Sequence, residues 1–182
     1  MASFSVAELL SRALQAFDAA LDIRAETDAD FDFVCALYAQ TREEELAAVE
    51  WPAAAKRDFL DSQCRLQRDH YLLHYRGADR LLIERGSQPI GRVYVHAKPK
   101  EIRLMDIALL RDQRRRGIGT SIVRSLQEEA RRLGAELSLH VEPTNPAQRI
   151  YARLGFRLVE NRGIYDFLSW SPSTNPATSQ AS

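Results

Sequence analysis

The chain has 182 residues, 45% of them apolar and 27% charged, and its formal net charge is zero. That suffices for one domain with a real core, and neutrality removes the broad attraction that draws basic chains to nucleic acid or anionic membranes. Two cysteines, Cys35 and Cys64, make neither a disulfide framework nor a zinc site.

No apolar run approaches the ~20 residues of a membrane helix. The first residues lack the basic start and apolar block of a secretory signal, so a reducing, cytoplasmic setting is expected. Charge is segregated locally: Arg111, Arg114, Arg115 and Arg116 stand against Asp112, while Glu43, Glu44, Glu45 and Glu50 stand against Arg42. An anionic ligand at the first place and a cationic one at the second would suit that pattern.

Residues 5–20 put Val6, Leu9, Leu10, Ala13, Leu14 and Phe17 on one side of a helical pattern. Such a helix can dock on the domain or on a second copy of the chain, and a frayed leader is an open alternative. Residues 1–20 are therefore set apart as an extension without an assigned role. Leu21–Ala25 alternates as a first strand. Thr27 and Asp30 form a capping-box pattern that opens a helix through Phe31, Val34, Leu37 and Tyr38. The acidic stretch 41–46 follows, and Trp51-Pro52 starts a second helix with proline in its first turn. That helix passes Phe59, Cys64 and Leu66 toward Tyr71, with 71–75 ambiguous between helix and loop.

Residues 80–85, 88–96 and 101–110 read as three strands joined by short turns. The turn Arg114-Arg115-Arg116-Gly117-Ile118-Gly119 then leads from strand to helix, with Ile122, Val123, Leu126, Ala130 and Leu133 at helical spacing. Free amide groups and the positive dipole end of a helix start suit a phosphate, and glycine lets the ligand approach the backbone. A dinucleotide fingerprint fails because Ile122 stands where its third glycine belongs. A P-loop fails because no Lys-Ser/Thr pair follows. A helix-start turn with a solvated arginine face is the bland alternative.

Residues 137–141 alternate as a strand. Asn145-Pro146 reads as a cap with proline at the first helical position, and the helix carrying Ile150, Tyr151 and Leu154 stops at Gly155. Two strands, 156–159 and 164–168, complete an α/β order with a mixed sheet. From Ser171 to Ser182 nothing can be buried, and a disordered tail is expected.

Arg114-x-x-Gly117-x-Gly119 at a strand-to-helix junction resembles the acyl-CoA signature of the GCN5-related N-acetyltransferases, the GNAT family. Leu139-His140-Val141-Glu142-Pro143-Thr144-Asn145-Pro146-Ala147 followed by Ile150-Tyr151-Ala152-Arg153-Leu154-Gly155-Phe156 is similar to that family's second signature. Thr41–Leu46, Trp51 and Gly91-Arg92 further resemble one branch of it. The resemblance covers residues 21–170. It implies a mostly antiparallel sheet, splayed at an acyl-CoA cleft, with helices on both faces.

It further implies acetyl-CoA as co-substrate, with no metal. The pantetheine arm would pair with backbone near Ile107 and Leu109, and amides from Arg114 through Arg115, Arg116, Gly117, Ile118 and Gly119 to Thr120 would hold the diphosphate. The Leu109 N–H would polarise the thioester carbonyl, and Tyr151 would donate to the leaving sulfur, as a phenol with a pKa of about 10 can. Asn145 is a CoA contact or a helix cap. For the base, Asp106, His140 and Glu43–Glu45 stay open, each with a solvated or ion-paired alternative. Tyr38, Trp51, Tyr71 and Tyr75 are candidates for the acceptor pocket.

The expected activity is acetyl transfer to a primary amine, of a cationic kind if the acidic stretch steers it. The alternative is a CoA-binding sensor or interaction module of the same fold. A nucleic-acid binder is disfavoured by zero net charge and the lack of a second basic stripe. No membrane partner is expected, and a homodimer through residues 6–17 or the last strands is open.

Overall fold

The computed structural model describes residues 5–172. The tail expected to be disordered falls outside those residues from 173 on. Seven strands form one sheet in the order β1-β2-β3-β4-β5-β7-β6. They are β1 (Leu21–Ala25), β2 (Asp79–Arg85), β3 (Gln88–Lys98), β4 (Glu101–Leu109), β5 (Glu136–Val141), β6 (Arg157–Asn161) and β7 (Asp166–Trp170). Only β4 and β5 run parallel; every other neighbour pair is antiparallel. The expected α/β class with a mixed, mostly antiparallel sheet is what the structure shows.

Among the described residues five α-helices cover it: α1 (Val6–Phe17), α2 (Phe31–Ala47), α3 (Ala53–His74), α4 (Ile118–Leu133) and α5 (Gln148–Arg153). The Thr27/Asp30 capping box is present and leads through a 3-10 turn into α2. Two expectations shift. The acidic stretch is the last part of α2 rather than a segment beyond it, and α3 runs through the ambiguous residues to His74. The α5 helix starts at Gln148, after a turn in which Asn145 Oδ1 accepts the Ala147 N–H at 2.9 Å. The helix cap is thus Ala147, without a side-chain bond, rather than Asn145, and Pro146 lies before the helix instead of at its first position; Asn145 closes the preceding turn.

The main core joins α1 and α4 to the sheet. Val6, Leu10 and Leu14 of α1 are buried with Leu21, Leu81, Ile83, Ile122, Leu126 and Leu137. Docking on the domain itself is thus the arrangement found for residues 6–17. Three such side chains bury roughly 1.5–3 kcal/mol each. Leu14→Ala is expected to destabilise the protein by about 2–5 kcal/mol, read as a lowered denaturant midpoint with an unchanged slope. An unchanged midpoint would show that α1 is not part of the folded core.

A second cluster lies under α2 and α3, where Val34, Cys35, Tyr38, Cys64 and Leu82 are buried together. The two cysteines are free thiols in contact across the helix pair, with Sγ atoms 2.7 Å apart. Burial pushes the Cys35 thiol up to about 12, so it keeps its proton at neutral pH. They pack, as ordinary helix-face residues do.

Candidate functional site

The parallel ladder between β4 and β5 is short. It pairs Glu101–Leu104 with Glu136–Leu139 and stops there, although both strands continue. Beyond that point they part, and Met105–Ala108 of one and His140 and Val141 of the other line a cavity of about 540 Å³. Unpaired backbone on β4 facing such a gap can take an extended ligand as an added strand.

A β-bulge decides which side chains look into the gap. In the β3–β4 ladder Val95 pairs with Leu104, but Tyr94 pairs with Asp106, so Met105 is an extra residue on β4. The insertion reverses the strand's parity. Ile102 and Leu104 point into the main core with Val95. After Met105, Asp106 comes onto the opposite face with Tyr94, toward α2 and α3, while Ile107 and Leu109 pack against the main core. With regular alternation, Asp106 would have pointed into apolar packing. The bulge lies where β4 and β5 separate, so one irregularity serves both features.

At the end of β4 the chain makes a 3-10 turn, Arg111–Gln113, and enters the basic turn. Arg115 and Gly117 have left-handed φ values of 61° and 86°. Left-handed residues of this kind curl a turn so that amides gather on its concave side. Ser121 N–H is bonded to Gly117 O at 2.9 Å, so Ile118, Gly119 and Thr120 supply the first-turn amides ahead of the helical ladder. Arg115 and Arg116 are exposed. Arg114 is partly spent: its Nε donates to the Leu109 carbonyl at 2.9 Å, tying the turn to the end of β4.

Across the gap, Tyr151 is 7% exposed on α5 and lines the cavity, as Asn145 does. Its ring stands edge-on to Phe156, 5.6 Å between centroids. Gln127 of α4 donates to the Leu154 carbonyl at 2.7 Å, which holds the last turn of α5 and with it the tyrosine. Burial, and then the charge of Asp106, push the Tyr151 phenol up to about 12. It is therefore a donor throughout the neutral range. Leu109 is not part of the lining; it stands at the strand's end opposite Gly91.

The other wall comes from α2, α3 and β3. Tyr38, Tyr71 and Tyr75 line it as expected, but Trp51 does not; it packs edge-on against Phe59, 5.5 Å away, at the start of α3. The sequence reading missed Gln67, Arg103 and Tyr165, and gave Arg92 no role. Arg92 carried a signal, since an arginine between Ile90, Val93 and Tyr94 in a strand buried on both faces is unusual.

Its guanidinium is 4% exposed and contacts Asp106 Oδ2 at 2.5 Å. Asp106, a candidate base, is thus an ion-paired carboxylate on the cavity wall. His140 also lines the cavity; burial, then Arg103 and Arg162, lower its pKa and leave it neutral.

The two charged segments turn out to be neighbours. Glu43 pairs with Arg111 at 2.8 Å, and Arg42 bridges Glu45 and Glu142 at 2.8 Å each. Negative charge at Glu43 and Glu45 is engaged by the chain's own arginines, which weakens steering of a cationic acceptor by this stretch. Among the described residues, no group of three or more His, Cys, Asp or Glu could hold a metal ion, and no helix is long and apolar enough to cross a membrane.

The sequence profile of the acetyltransferase (GNAT) family matches residues 31–156. No curated protein sequence matches the chain. Among solved structures, the PaiA N-acetyltransferase of Thermoplasma acidophilum, in complex with coenzyme A, aligns over 84% of this chain and 99% of its own, with 14% identity and a TM-score of 0.62. An acetyltransferase of Thermus thermophilus aligns over 84% and 97%, with 18% identity and a TM-score of 0.60. The yncA protein of Salmonella typhimurium, with its cofactor acetyl-CoA, aligns over 89% and 99%, with 18% identity and a TM-score of 0.52. At these identities the solved structures speak for the fold.

Proposed function

The chain belongs to the acetyltransferase (GNAT) family, and on that premise we propose that it moves an acetyl group from acetyl-CoA to a primary amine of a small molecule or peptide. The observation that carries this is the conjunction at the strand gap. Free backbone of β4 and the Tyr151 phenol border one cavity, and the amide-bearing turn before α4 follows the end of that same strand.

The pantetheine arm extends along β4 near Ile107 and Leu109. Amides from Arg114 to Thr120 hold the diphosphate, with Arg115 and Arg116 as the exposed cations beside it. Asn145 caps its turn and faces the arm. The neutral amine attacks the carbonyl carbon, whose oxygen is polarised by the Leu109 N–H. The C–N bond forms, the C–S bond breaks, and its electron pair leaves with sulfur. Tyr151 gives its proton to the thiolate and is recharged by the proton that the amine nitrogen sheds, so the products are the acetamide and free CoA thiol. Asp106 is the cavity carboxylate whose charge reaches the Tyr151 phenol.

Thiol release from acetyl-CoA, followed over a panel of primary amines, tests the reading. Saturable turnover with at least one amine is expected. Absence of CoA binding in calorimetry would end the assignment. Tight binding without turnover on any amine would favour a CoA sensor instead.

A further inference from the structure

Burying an arginine costs several kcal/mol unless its charge is met, and a pair built for stability alone is usually bidentate and fully bonded. The Arg92 pair is neither. One nitrogen, Nη2, makes both contacts, to Asp106 Oδ2 at 2.5 Å and to Gln67 Oε1 of α3 at 2.9 Å. Arg92 Nε is buried without a partner among the described residues. The guanidinium stands over the Tyr94 ring, 5.1 Å from its centroid. Ala108, paired with Arg92 across the ladder, leaves room for it. The cation is thus held from three directions and meets only one oxygen of its acid.

That acid is asymmetric in turn. Asp106 Oδ2 is buried in ion-pair contact with Arg92 Nη2 but without hydrogen-bond geometry, yet the side chain is 20% exposed and lines the cavity. The oxygen left open to the cavity is Oδ1. Its charge is felt at the Tyr151 phenol and at Tyr71, so the carboxylate lies within electrostatic reach of both walls. Of the other acids lining the cavity, Glu45 and Glu142 share Arg42 Nη1, each through Oε1, and are more exposed than Asp106, 57% and 30% against 20%, so water screens a charge contact there more strongly.

Resting on the acetyl-transfer reading, we propose that Asp106 Oδ1 receives the ammonium of the acceptor, which gives one proton to solvent before the neutral amine attacks, and that Arg92, itself held by Gln67, is the positioning residue that aims the carboxylate. Arg92 does not touch the acceptor. By engaging Oδ2 it fixes the carboxylate's rotation and leaves a single acceptor oxygen facing the cavity. The Met105 bulge brings Asp106 to this face, and Arg92 sets its angle.

Benzylamine is the probe, with thiol release giving KM and kcat and calorimetry giving its affinity for the CoA-saturated protein. Asp106→Asn is expected to raise the benzylamine KM about tenfold or more, as loss of a charge-assisted bond would, while CoA affinity holds. Arg92→Met should show the same loss, with partial recovery in Arg92→Lys. Removing one member of a buried pair can unfold a protein. Gln67→Met keeps both charges and should still raise the benzylamine KM severalfold with its melting temperature nearly unchanged.

An unchanged benzylamine KM in Asp106→Asn would overturn the proposal. So would variants at Arg92 and Gln67 that lose only melting temperature. A wild-type protein that binds CoA but neither binds nor acetylates benzylamine also overturns it, while turnover on another amine would leave acetyl transfer standing.

Discussion

Replacing Tyr151 by phenylalanine is expected to slow acetyl transfer by about a hundredfold or more while CoA affinity stays close to that of the parent. The change removes one oxygen and leaves the ring, which is edge-on to Phe156 and buried in the main core, so packing is kept. What is lost is the proposed proton donor for the leaving thiolate, a role worth roughly 10²–10⁴-fold in other enzymes. The pH dependence gives a second reading. Burial and Asp106 push the phenol up to about 12, so it remains protonated through the neutral and mildly alkaline range. The rise in rate toward alkaline pH then reports deprotonation of the amine, whose pKa is about 10. Tyr151→Phe should therefore lower the whole profile without changing its shape. An unchanged rate would remove Tyr151 from the chemistry.

Gly91→Ala should be nearly as damaging, although the side chain it adds is a single methyl group. A Cβ at Gly91 would lie 2.5 Å from the Ala108 carbonyl oxygen and 2.7 Å from Leu109 Cδ2. The nearer obstacle is backbone, so β4 itself must shift. Overpacking of this kind costs about 1–3 kcal/mol. The functional cost is larger, because the strand that moves carries the Leu109 N–H proposed to face the thioester oxygen. Misplacement by about 1 Å can cost 10²-fold in rate. Single-turnover thiol release with saturating acetyl-CoA, beside a thermal melt, separates the two effects. A lowered melting temperature with an unchanged rate would mean that Leu109 takes no part in the reaction.

The donor half of the site was legible because its determinants are local. A helix start, a left-handed glycine and a run of arginines are adjacent in the chain, and the Asn145–Phe156 segment carries its own turn and stop. Even here one detail needed the fold, since Arg114 folds back on the Leu109 carbonyl. The acceptor half was mostly illegible because it is assembled from segments far apart in sequence. Tyr38 and Arg42 of α2, Gln67 and Tyr71 of α3, Arg92 of β3 and Tyr165 before β7 meet only once the sheet is built. The acidic stretch divides the same way: Glu45 and Arg42 pair within α2, whereas Glu43 meets Arg111 only once α2 packs beside the turn that follows β4.

By itself the sequence determined the elements, the α/β class, the turn proposed to hold the diphosphate and the resemblance that names the donor, since periodicity, caps and short motifs act within a few residues. The tertiary structure alone decided which way Asp106 points. Alternation counted from Ile107 and Leu109 puts Asp106 on the opposite face, alternation counted from Ile102 and Leu104 puts it in the core, and only the bulge at Met105, visible against the partner strand, reconciles the two. That one inserted residue turns a carboxylate from the apolar core to the cavity, where Arg92 can hold it.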